Sequence, residues 1–306
     1  MNKKRIVLAG GSGFLGRSLA KALLVRGYDV VVLSRTPGTN SGFREVEWDG
    51  AHVGEWIQCL NGAEAIVNLA GRNINCPHTP ANLAEILSSR VNSVRAIALS
   101  LPHLKKQPRV WVQAGATGFY GDTGDRLCDE HSPAGRDALA GVCQHWENAF
   151  DSADAPKTRR VLLRIGFVLG RDGGALPVLS KLTRWFLGGT VGSGRQFISW
   201  IHLADVTRMF VAAIEQEKLT GTFNAVGLNP ETNRFFMREL RHVLHRPWCP
   251  PAPALAVRLG ARLMKSEPSL ALMSQCCAPV RFMEAGFEFQ YPKLRPALEN
   301  LCRGEI

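Results

Sequence analysis

A turn with evenly spaced glycines near the amino terminus limits the folds open to this chain. Residues 4–9 are mostly apolar, and Gly10, Gly13 and Gly16 follow them at intervals of three. A helical pattern begins within this turn, and a second apolar run follows at residues 29–33. A strand, a glycine turn, a helix and a second strand in this order predict a βαβ unit that binds a dinucleotide.

The three glycines have separate roles in such a unit. Gly10 permits the tight turn, Gly13 lets the main chain approach a pyrophosphate, and Gly16 allows close packing of helix on strand. The N–H groups that begin the helix, including those of Phe14 and Leu15, have no helical acceptor and are available to phosphate oxygens. The alternative is a turn with a structural role only.

The end of the second strand indicates which dinucleotide is bound. A site for NAD places Asp or Glu there to hold the ribose 2′-hydroxyl, whereas this chain has Ser34 and Arg35. A guanidinium and a hydroxyl suit the 2′-phosphate of NADP(H), which a carboxylate would repel. We therefore expect NADP(H) to be preferred over NAD(H); the alternative for Arg35 is an ordinary exposed arginine.

The alternation of strands and helices continues beyond the first unit. Strands separated by helical stretches predict an α/β fold with a doubly wound parallel sheet. After residue 170, glycine pairs and prolines become frequent, which indicates a smaller lobe over the open end of the sheet. The predicted later strands are 65–69, 110–114, 161–168 and 222–226, and the predicted helices are 81–100, 136–153 and 205–216.

Composition argues against several other classes of protein. The chain has 306 residues, of which 45% are hydrophobic and 21% charged, as in folded globular proteins. The net charge of +11 is scattered without a nucleic-acid-reading motif, so no nucleic-acid partner is expected. The eight cysteines show no C-x-x-C pair or metal-ligand spacing, which predicts reduced thiols in a cytoplasmic protein without a metal site. No apolar segment has the length of a membrane span, and no membrane partner is expected.

Further short motifs follow one another along the chain, including the unusual motifs Trp146-Glu147 and Trp200-Ile201-His202. The full set is 10–16, 33–35, 67–71, 89–90, 118–121, 142–143, 146–147, 164–166, 168–170, 192–196, 200–202 and 286–287. With these in place, the sequence resembles the extended short-chain dehydrogenase/reductases. Within them it is similar to the atypical YfcH-like epimerase family proteins, in the NAD(P)-dependent epimerase/dehydratase superfamily.

The resemblance runs nearly from end to end and implies a division of the chain. Residues 1–170 would form a Rossmann-type NADP-binding domain, completed by about 203–228, and residues 171–306 mainly a substrate-binding lobe. The substrate implied is a small carbonyl or sugar-like molecule, and the resemblance is compatible with a homodimer.

The resemblance also implies cofactor contacts beyond the glycine turn. Leu69 and Ala70 would line the cofactor at the end of their strand, with Glu85 and Arg90 on the following helix. Val168 would lie near the nicotinamide. Alternatively, Glu85 and Arg90 form an ion pair on the helix surface, and Val168 belongs to the core.

The expected catalytic residues are missing. Typical members of the superfamily use a Ser or Thr, together with a Tyr and a Lys four residues apart on one helix face. Here Ala116 takes the first place, Cys143 the second and Glu147 the third. The charge of Glu147 would raise the pKa of the thiol, although its carboxylate could still accept hydrogen bonds from ribose hydroxyls. A small buried side chain is at least as good an explanation of Cys143 as an acid.

Two hydroxyls remain near the expected nicotinamide, those of Thr117 and Tyr120. Tyr120 is a candidate acid or an aromatic residue that packs on the cofactor. Arg195, in a glycine-rich loop, resembles the arginine with which related enzymes hold an anionic substrate, and a flexible surface loop is its alternative. His202 is a second candidate for the substrate site, but a structural role beside Asp205, a predicted helix N-cap, is favoured.

Three functions from different classes remain open at this level. The first is an NADP(H)-dependent oxidoreductase or epimerase with a nonstandard proton-transfer group. The second is a non-catalytic sensor or scaffold that binds NADP(H), which the missing catalytic residues favour. The third, a nucleic-acid-associated protein, ranks far behind because its only support is net charge.

Overall fold

A seven-stranded parallel sheet forms the centre of the molecule. The computed structural model describes residues 3–38, 42–263 and 266–302. In chain order the strands are β1 (Arg5–Ala9), β2 (Asp29–Ser34), β3 (Arg44–Glu47), β4 (Ala65–Asn68), β5 (Val110–Ala116), β6 (Arg159–Ile165), β7 (Phe167–Leu169), β8 (Phe197–Ile198), β9 (Trp200–His202), β10 (Gly221–Ala225) and β11 (Glu231–Thr232). The large sheet has the order β10-β6-β5-β4-β1-β2-β3, and all its neighbours are parallel. This is the predicted doubly wound α/β fold of Rossmann type.

Helices connect the strands and cover the sheet. They are α1 (Phe14–Val25), α2 (Pro80–Ser100), α3 (Ala138–Asp151), α4 (Leu176–Arg184), α5 (Leu203–Glu215), α6 (Asn233–Val243), α7 (Ala254–Leu263), α8 (Ser269–Leu272), α9 (Val280–Glu284) and α10 (Leu294–Cys302). Helix α1 packs against α5, and α2 packs against α3. Within residues 3–38, 42–263 and 266–302, no helix is long and apolar enough to cross a membrane.

The core follows from the apolar strands. The last four residues of β1, Ile6, Val7, Leu8 and Ala9, are all inaccessible, because helices cover both faces of an interior parallel strand. The crossover reverses direction between β1 and β4, and in open parallel sheets ligands bind at the carboxyl ends of the strands flanking such a point. The glycine turn follows β1 directly, so it lies at this position.

The prediction of one strand over 161–168 is wrong. The chain breaks at Gly166, whose N–H donates to Ala225 while that of Phe167 donates to Ser199. A Cβ on Gly166 would overlap the carbonyl of Ser199, so only glycine allows the chain to pass from β6, in the large sheet, to β7, which pairs with β9. Strand β3 was not predicted from the sequence, because it is short and polar and lies at the edge of the sheet.

A second, smaller core lies in the carboxyl-terminal half. Helices α4, α6 and α10 pack around it, together with β7 and β9. Helix α5 and strand β10, which are in the range 203–228, instead belong to the large sheet and its covering helices. The chain thus leaves the sheet after β6 and returns to it before the second lobe is completed.

Candidate functional site

The glycine turn has the geometry of a phosphate cradle. Gly10 has a φ of 73°, and a Cβ there would lie 2.8 Å from the main-chain nitrogen of Ala70. At Gly16 a Cβ would lie 2.6 Å from the Cα of Gly11, so the third glycine permits close helix packing. Gly13 is the N-cap of α1 and offers no side-chain acceptor, which leaves the N–H groups of the first helical turn available to an anion.

Phe14 and Leu15 begin α1 and are both half-buried. The ring of Phe14 lies against the loop after β7, where Gly170 and Gly173 have no room for a Cβ because the ring occupies that space. Leu15 packs against the main core. The N–H groups of both residues face the cradle, whereas their side chains fix α1 to the rest of the molecule.

The end of β2 carries a hydroxyl and a cation. Ser34 is buried, and its Oγ donates to the carbonyl of Thr36 at 3.3 Å. Arg35 is exposed directly beyond it. Neither residue of this pair is acidic, so the strand end that faces an adenosine ribose in such folds presents positive charge.

The end of β4 is held by a buried amide. Asn68 donates to Ser93 at 3.1 Å and to Gln113 at 3.0 Å, and its Oδ1 accepts the N–H of Ala70 at 3.0 Å. Leu69 and Ala70 are consequently fixed next to Gly10, where they form one wall of the cradle.

Glu85 and Arg90 on α2 do not pair with each other, so the alternative of a surface ion pair between them is wrong. Glu85 pairs with Arg72, while the Arg90 guanidinium donates to the carbonyl of Arg72 at 3.0 Å and lies 5.1 Å from the centre of the Trp146 ring. Both residues therefore support the loop after β4, at the margin of the cradle.

A buried charged network occupies the region beyond the ends of β5 and β6. Arg164 donates to Glu147 through Nε at 3.0 Å and Nη2 at 2.7 Å, and to the Tyr120 hydroxyl through Nη1 at 2.9 Å. The Tyr120 hydroxyl donates to Asn224 at 2.7 Å. Glu130 accepts the main-chain N–H of Asn224 at 2.9 Å, which joins β10 to the same network. Arg164 thus satisfies the buried carboxylate of Glu147, whereas Oε2 of Glu130 is buried without a hydrogen-bond partner among the described residues.

Tyr120 is in the wrong place for an acid that faces a cleft. Its side chain is 1% exposed, and its hydroxyl is fully engaged by Arg164 and Asn224. Burial raises the pKa of this phenol well above its ordinary value, against the opposing charge of Arg164. The hydroxyl keeps its proton at neutral pH and belongs to the structural network.

Glu147 and Cys143 lie on one face of α3, as their spacing predicts. Glu147 is buried and is bound on both oxygens by Arg164, so its carboxylate does not have the place of a ribose ligand. Burial raises the pKa of Glu147, which Arg164 opposes. Burial, and next the charge of Glu147, raises the pKa of the Cys143 thiol to about 12. The sulfur lies against the main chain of Gly118, where a Cβ would be 3.5 Å from it.

Thr117 begins a 3-10 turn, Thr117–Tyr120, rather than continuing β5. Its hydroxyl donates to Gln275, in the carboxyl-terminal half of the chain. Val168 lies on β7, half-buried and packed on the core, and is paired with Ile201. Thr117 and Val168 thus contact segments of the second lobe.

His202 has the structural role favoured from the sequence, rather than that of a substrate ligand. It caps α5 itself by accepting the N–H of Ala204 at 3.0 Å, and its ring stacks on Tyr291 at 3.8 Å. The prediction that Asp205 is the N-cap is wrong, because its carboxylate accepts main-chain N–H groups of the segment that leads to α10. Arg195 is exposed on a loop next to Gly194, which has a φ of 68°.

Arg164, Asn224 and Gln275 were not predicted as members of the site. The sequence pattern could have indicated Arg164, because a charged residue inside the apolar run 161–165 of an interior strand requires a buried partner. No sequence pattern indicates Asn224 or Gln275, because only folding brings Asn224 to Tyr120 and Gln275 to Thr117. Among the residues described, no cluster of three or more His, Cys, Asp or Glu has a geometry suited to a metal ion.

Comparison with known proteins gives the family. The model of the NAD dependent epimerase/dehydratase family matches residues 6–226, and a domain of unknown function, DUF1731, matches residues 252–301. The chloroplastic epimerase family protein SDR39U1 homolog of Arabidopsis thaliana is 34% identical, over 97% of this chain and 86% of its own. Epimerase family protein YfhF of Bacillus subtilis is 32% identical, over 97% of each chain.

Solved structures agree with this relationship. Human epimerase family protein SDR39U1, crystallised with NADPH, has a TM-score of 0.88 and 30% identity, over 98% of this chain and 99% of its own. The Bordetella bronchiseptica enzyme WbmG, in complex with NAD and UDP, shares the fold with a TM-score of 0.74 at 15% identity. The resemblance predicted from the sequence is confirmed: this chain belongs to the NAD dependent epimerase/dehydratase family, among the epimerase family proteins similar to SDR39U1 and YfhF.

Proposed function

We propose that this protein binds NADP(H) in preference to NAD(H) and transfers hydride to or from a small carbonyl or sugar-like substrate. The observation that carries the proposal is the open cradle at Gly13, with Ser34 and Arg35 at the adjacent strand end. The NADPH in the structure of the human relative supports the same cofactor here.

The residues present fit this cofactor. The N–H groups after Gly13 would hold the pyrophosphate, and Arg35 the 2′-phosphate, while Leu69 and Ala70 form the wall beside the adenosine half. Val168 and the main chain of Gly118 would lie toward the nicotinamide end. When bound, NADP(H) supplies or accepts hydride at its nicotinamide ring.

Proton transfer in this site differs from that of typical short-chain dehydrogenases. The thiol of Cys143 and the hydroxyl of Tyr120 retain their protons at neutral pH, since their ordinary pKa values already lie above 7 and burial raises both further. Neither is a base under these conditions, and Glu147 is occupied by Arg164. We assign Arg195 to the binding of an anionic group on the substrate, which would bring the reacting carbon over the nicotinamide end.

A non-catalytic NADP(H) sensor is the second candidate, and one observation favours it. The side chains of Thr117, Tyr120, Cys143 and Glu147 are all buried, and three of them have protein partners for their polar atoms. A site built to bind a cofactor without turnover would have this property. Under either candidate function, the homodimeric state and the cytoplasmic location of this protein stay predictions.

Transfer of deuterium separates the two candidates. NADPH that carries deuterium at the transferable position is incubated with the protein and a deproteinised cell extract, and metabolites are searched for label by mass spectrometry. A labelled metabolite that is absent with Gly13→Val supports hydride transfer and gives the substrate class. If NADPH binds in a separate titration but no metabolite is labelled, the oxidoreductase reaction is disfavoured, and a sensor or an epimerase that retains its hydride takes its place.

A further inference from the structure

Six large apolar side chains are exposed at one end of the second lobe. The exposed fraction reaches 72% at Trp185 and 74% at Trp248, although the other five tryptophans of the chain are buried. We call this set the tip patch; its members are Trp185, Phe186, Leu187, Trp248, Leu255 and Leu259. Exposed apolar groups on this scale mark a surface that binds something.

Hydrogen bonds place the two segments of the tip patch side by side. Arg246 donates through Nε to the carbonyl of Arg184 at 3.2 Å, and the N–H of Gly192 donates to the carbonyl of Ala252 at 2.9 Å. Trp248 therefore runs alongside the exposed residues that follow Arg184. Helix α7, which carries the two exposed leucines one turn apart, begins two residues after this contact.

The same two segments lack acidic residues. Residues 173–204 and 240–266 contain no Asp or Glu, so no acid of the same segments balances their basic residues. On α7, Arg258 and Arg262 are exposed beside Leu255 and Leu259. Among the described residues, the exposed basic side chains of the two segments are Lys181, Arg184, Arg195, Arg258 and Arg262, and Arg246 is half-buried.

Two residues at this end have a left-handed backbone that favours glycine. Phe186 has a φ of 60° and His245 a φ of 52°, each just beyond the end of a helix, where glycine usually stands. The side chain of Phe186 is 57% exposed and lies 5.3 Å from the Arg246 guanidinium. The aromatic group is thus placed outward at a cost to stability.

We infer that the tip patch binds the surface of an anionic lipid bilayer. Trp, Phe and Leu side chains enter the boundary between headgroups and acyl chains, while the arginines pair with anionic headgroups. A second copy of this chain does not fit, because it would bring together two copies of segments that carry basic and no acidic residues, and their like charges would repel. The expectation of no membrane partner rested on the lack of a spanning segment, and this mode of binding does not need one.

Vesicle binding tests the inference on the full chain. The protein is sedimented with vesicles of phosphatidylcholine alone and of phosphatidylcholine with about a third phosphatidylglycerol, at low and high salt. We expect binding to the anionic vesicles only, weakened by salt, with quenching of tryptophan fluorescence when the lipids carry bromine. The double variant Trp185→Ser/Trp248→Ser should bind at least about tenfold less tightly.

Matched variants separate surface binding from loss of fold. Leu99→Ser removes an exposed leucine on α2 and should bind vesicles as the wild type does. Phe186→Gly should raise the melting temperature and still weaken vesicle binding, since glycine relieves the left-handed residue but removes its ring. Equal binding by wild type and the double variant would overturn the inference. So would binding to polyglutamate as tight as to vesicles, which would make the surface a site for acidic polypeptides.

Discussion

The two ends of the proposed cofactor site follow different rules. At the phosphate end, Gly10, Gly13 and Gly16 lie within seven residues of sequence, and the main chain alone forms the cradle. At the nicotinamide end, Arg164 and Glu147 come from different elements, and their side chains form a buried ion pair. The comparison teaches that the glycine cradle is open to a ligand, whereas the side chains expected to be catalytic are buried and Tyr120 and Glu147 belong to a structural network. Four substitutions test this contrast, taken from the largest expected effect to the smallest.

Arg164→Leu should lower the free energy of unfolding by about 3–5 kcal/mol, because it leaves the buried carboxylate of Glu147 without a partner. Chemical denaturation of the purified proteins measures this change. The double variant Arg164→Leu/Glu147→Leu should recover much of the loss, since neither charge is then stranded. A single variant as stable as the wild type would contradict a structural role for the pair.

Gly13→Val should weaken NADPH binding by about a hundredfold or more, because a branched side chain would fill the space of the pyrophosphate. The fold itself should tolerate the change, since a Cβ at this position meets only the Gly10 carbonyl at 3.5 Å. Fluorescence titration with NADPH gives the affinity, and the melting temperature controls for folding. Gly141→Ala, in an open position on α3, is the matched control and should bind normally. Wild-type affinity in Gly13→Val would disprove the cradle.

Arg35→Ala should weaken NADPH by about tenfold or more and NADH by less than about twofold, as expected for loss of one charge-assisted hydrogen bond. Competition titrations with both nucleotides measure the ratio. An equal loss for the two nucleotides would contradict the assignment of Arg35 to the 2′-phosphate.

Cys143→Ala should change the pH dependence of stability while leaving NADPH affinity nearly intact. In the folded protein the thiol keeps its proton up to a pKa of about 12, whereas an unfolded thiol ionises near its ordinary value of 9.0. The unfolded state is therefore favoured as the pH rises above 9, and Cys143 accounts for about 1 kcal/mol of lost stability at pH 10. The variant should lose correspondingly less between pH 8 and pH 10. Parallel curves for the two proteins would show that the thiol is accessible to water.

The sequence predicted much of the fold and the phosphate end of the site, because both depend on local patterns. The run Val7–Leu8 is apolar on both faces, and the glycine turn is contained within seven residues. The nicotinamide end was not predictable in the same way. Tyr120 is recognisable as a hydroxyl, but its partner Asn224 is more than a hundred residues away, and only the completed sheet brings them within 2.7 Å.

The errors in the predicted strands and helix caps can each be traced to particular residues. Gly166 lies inside an apolar run that satisfies the pattern of one long strand, and no periodicity marks the point where the chain changes sheets. Likewise Asp205 is a preferred N-cap by residue type and His202 is not, yet His202 caps α5. Which of them caps α5 depends on Tyr291, whose N–H is held by Asp205 and whose ring stacks on His202.

The contact between Phe14 and the glycines after β7 has a kinetic consequence. One residue at the start of α1 both exposes its N–H to the phosphate cradle and holds, through its ring, the loop that leads into the second lobe. Occupation of the cradle would restrain that residue and, with it, the approach to the substrate side. We therefore expect an ordered sequence of association, with the nucleotide first and the substrate second, and release in the reverse order.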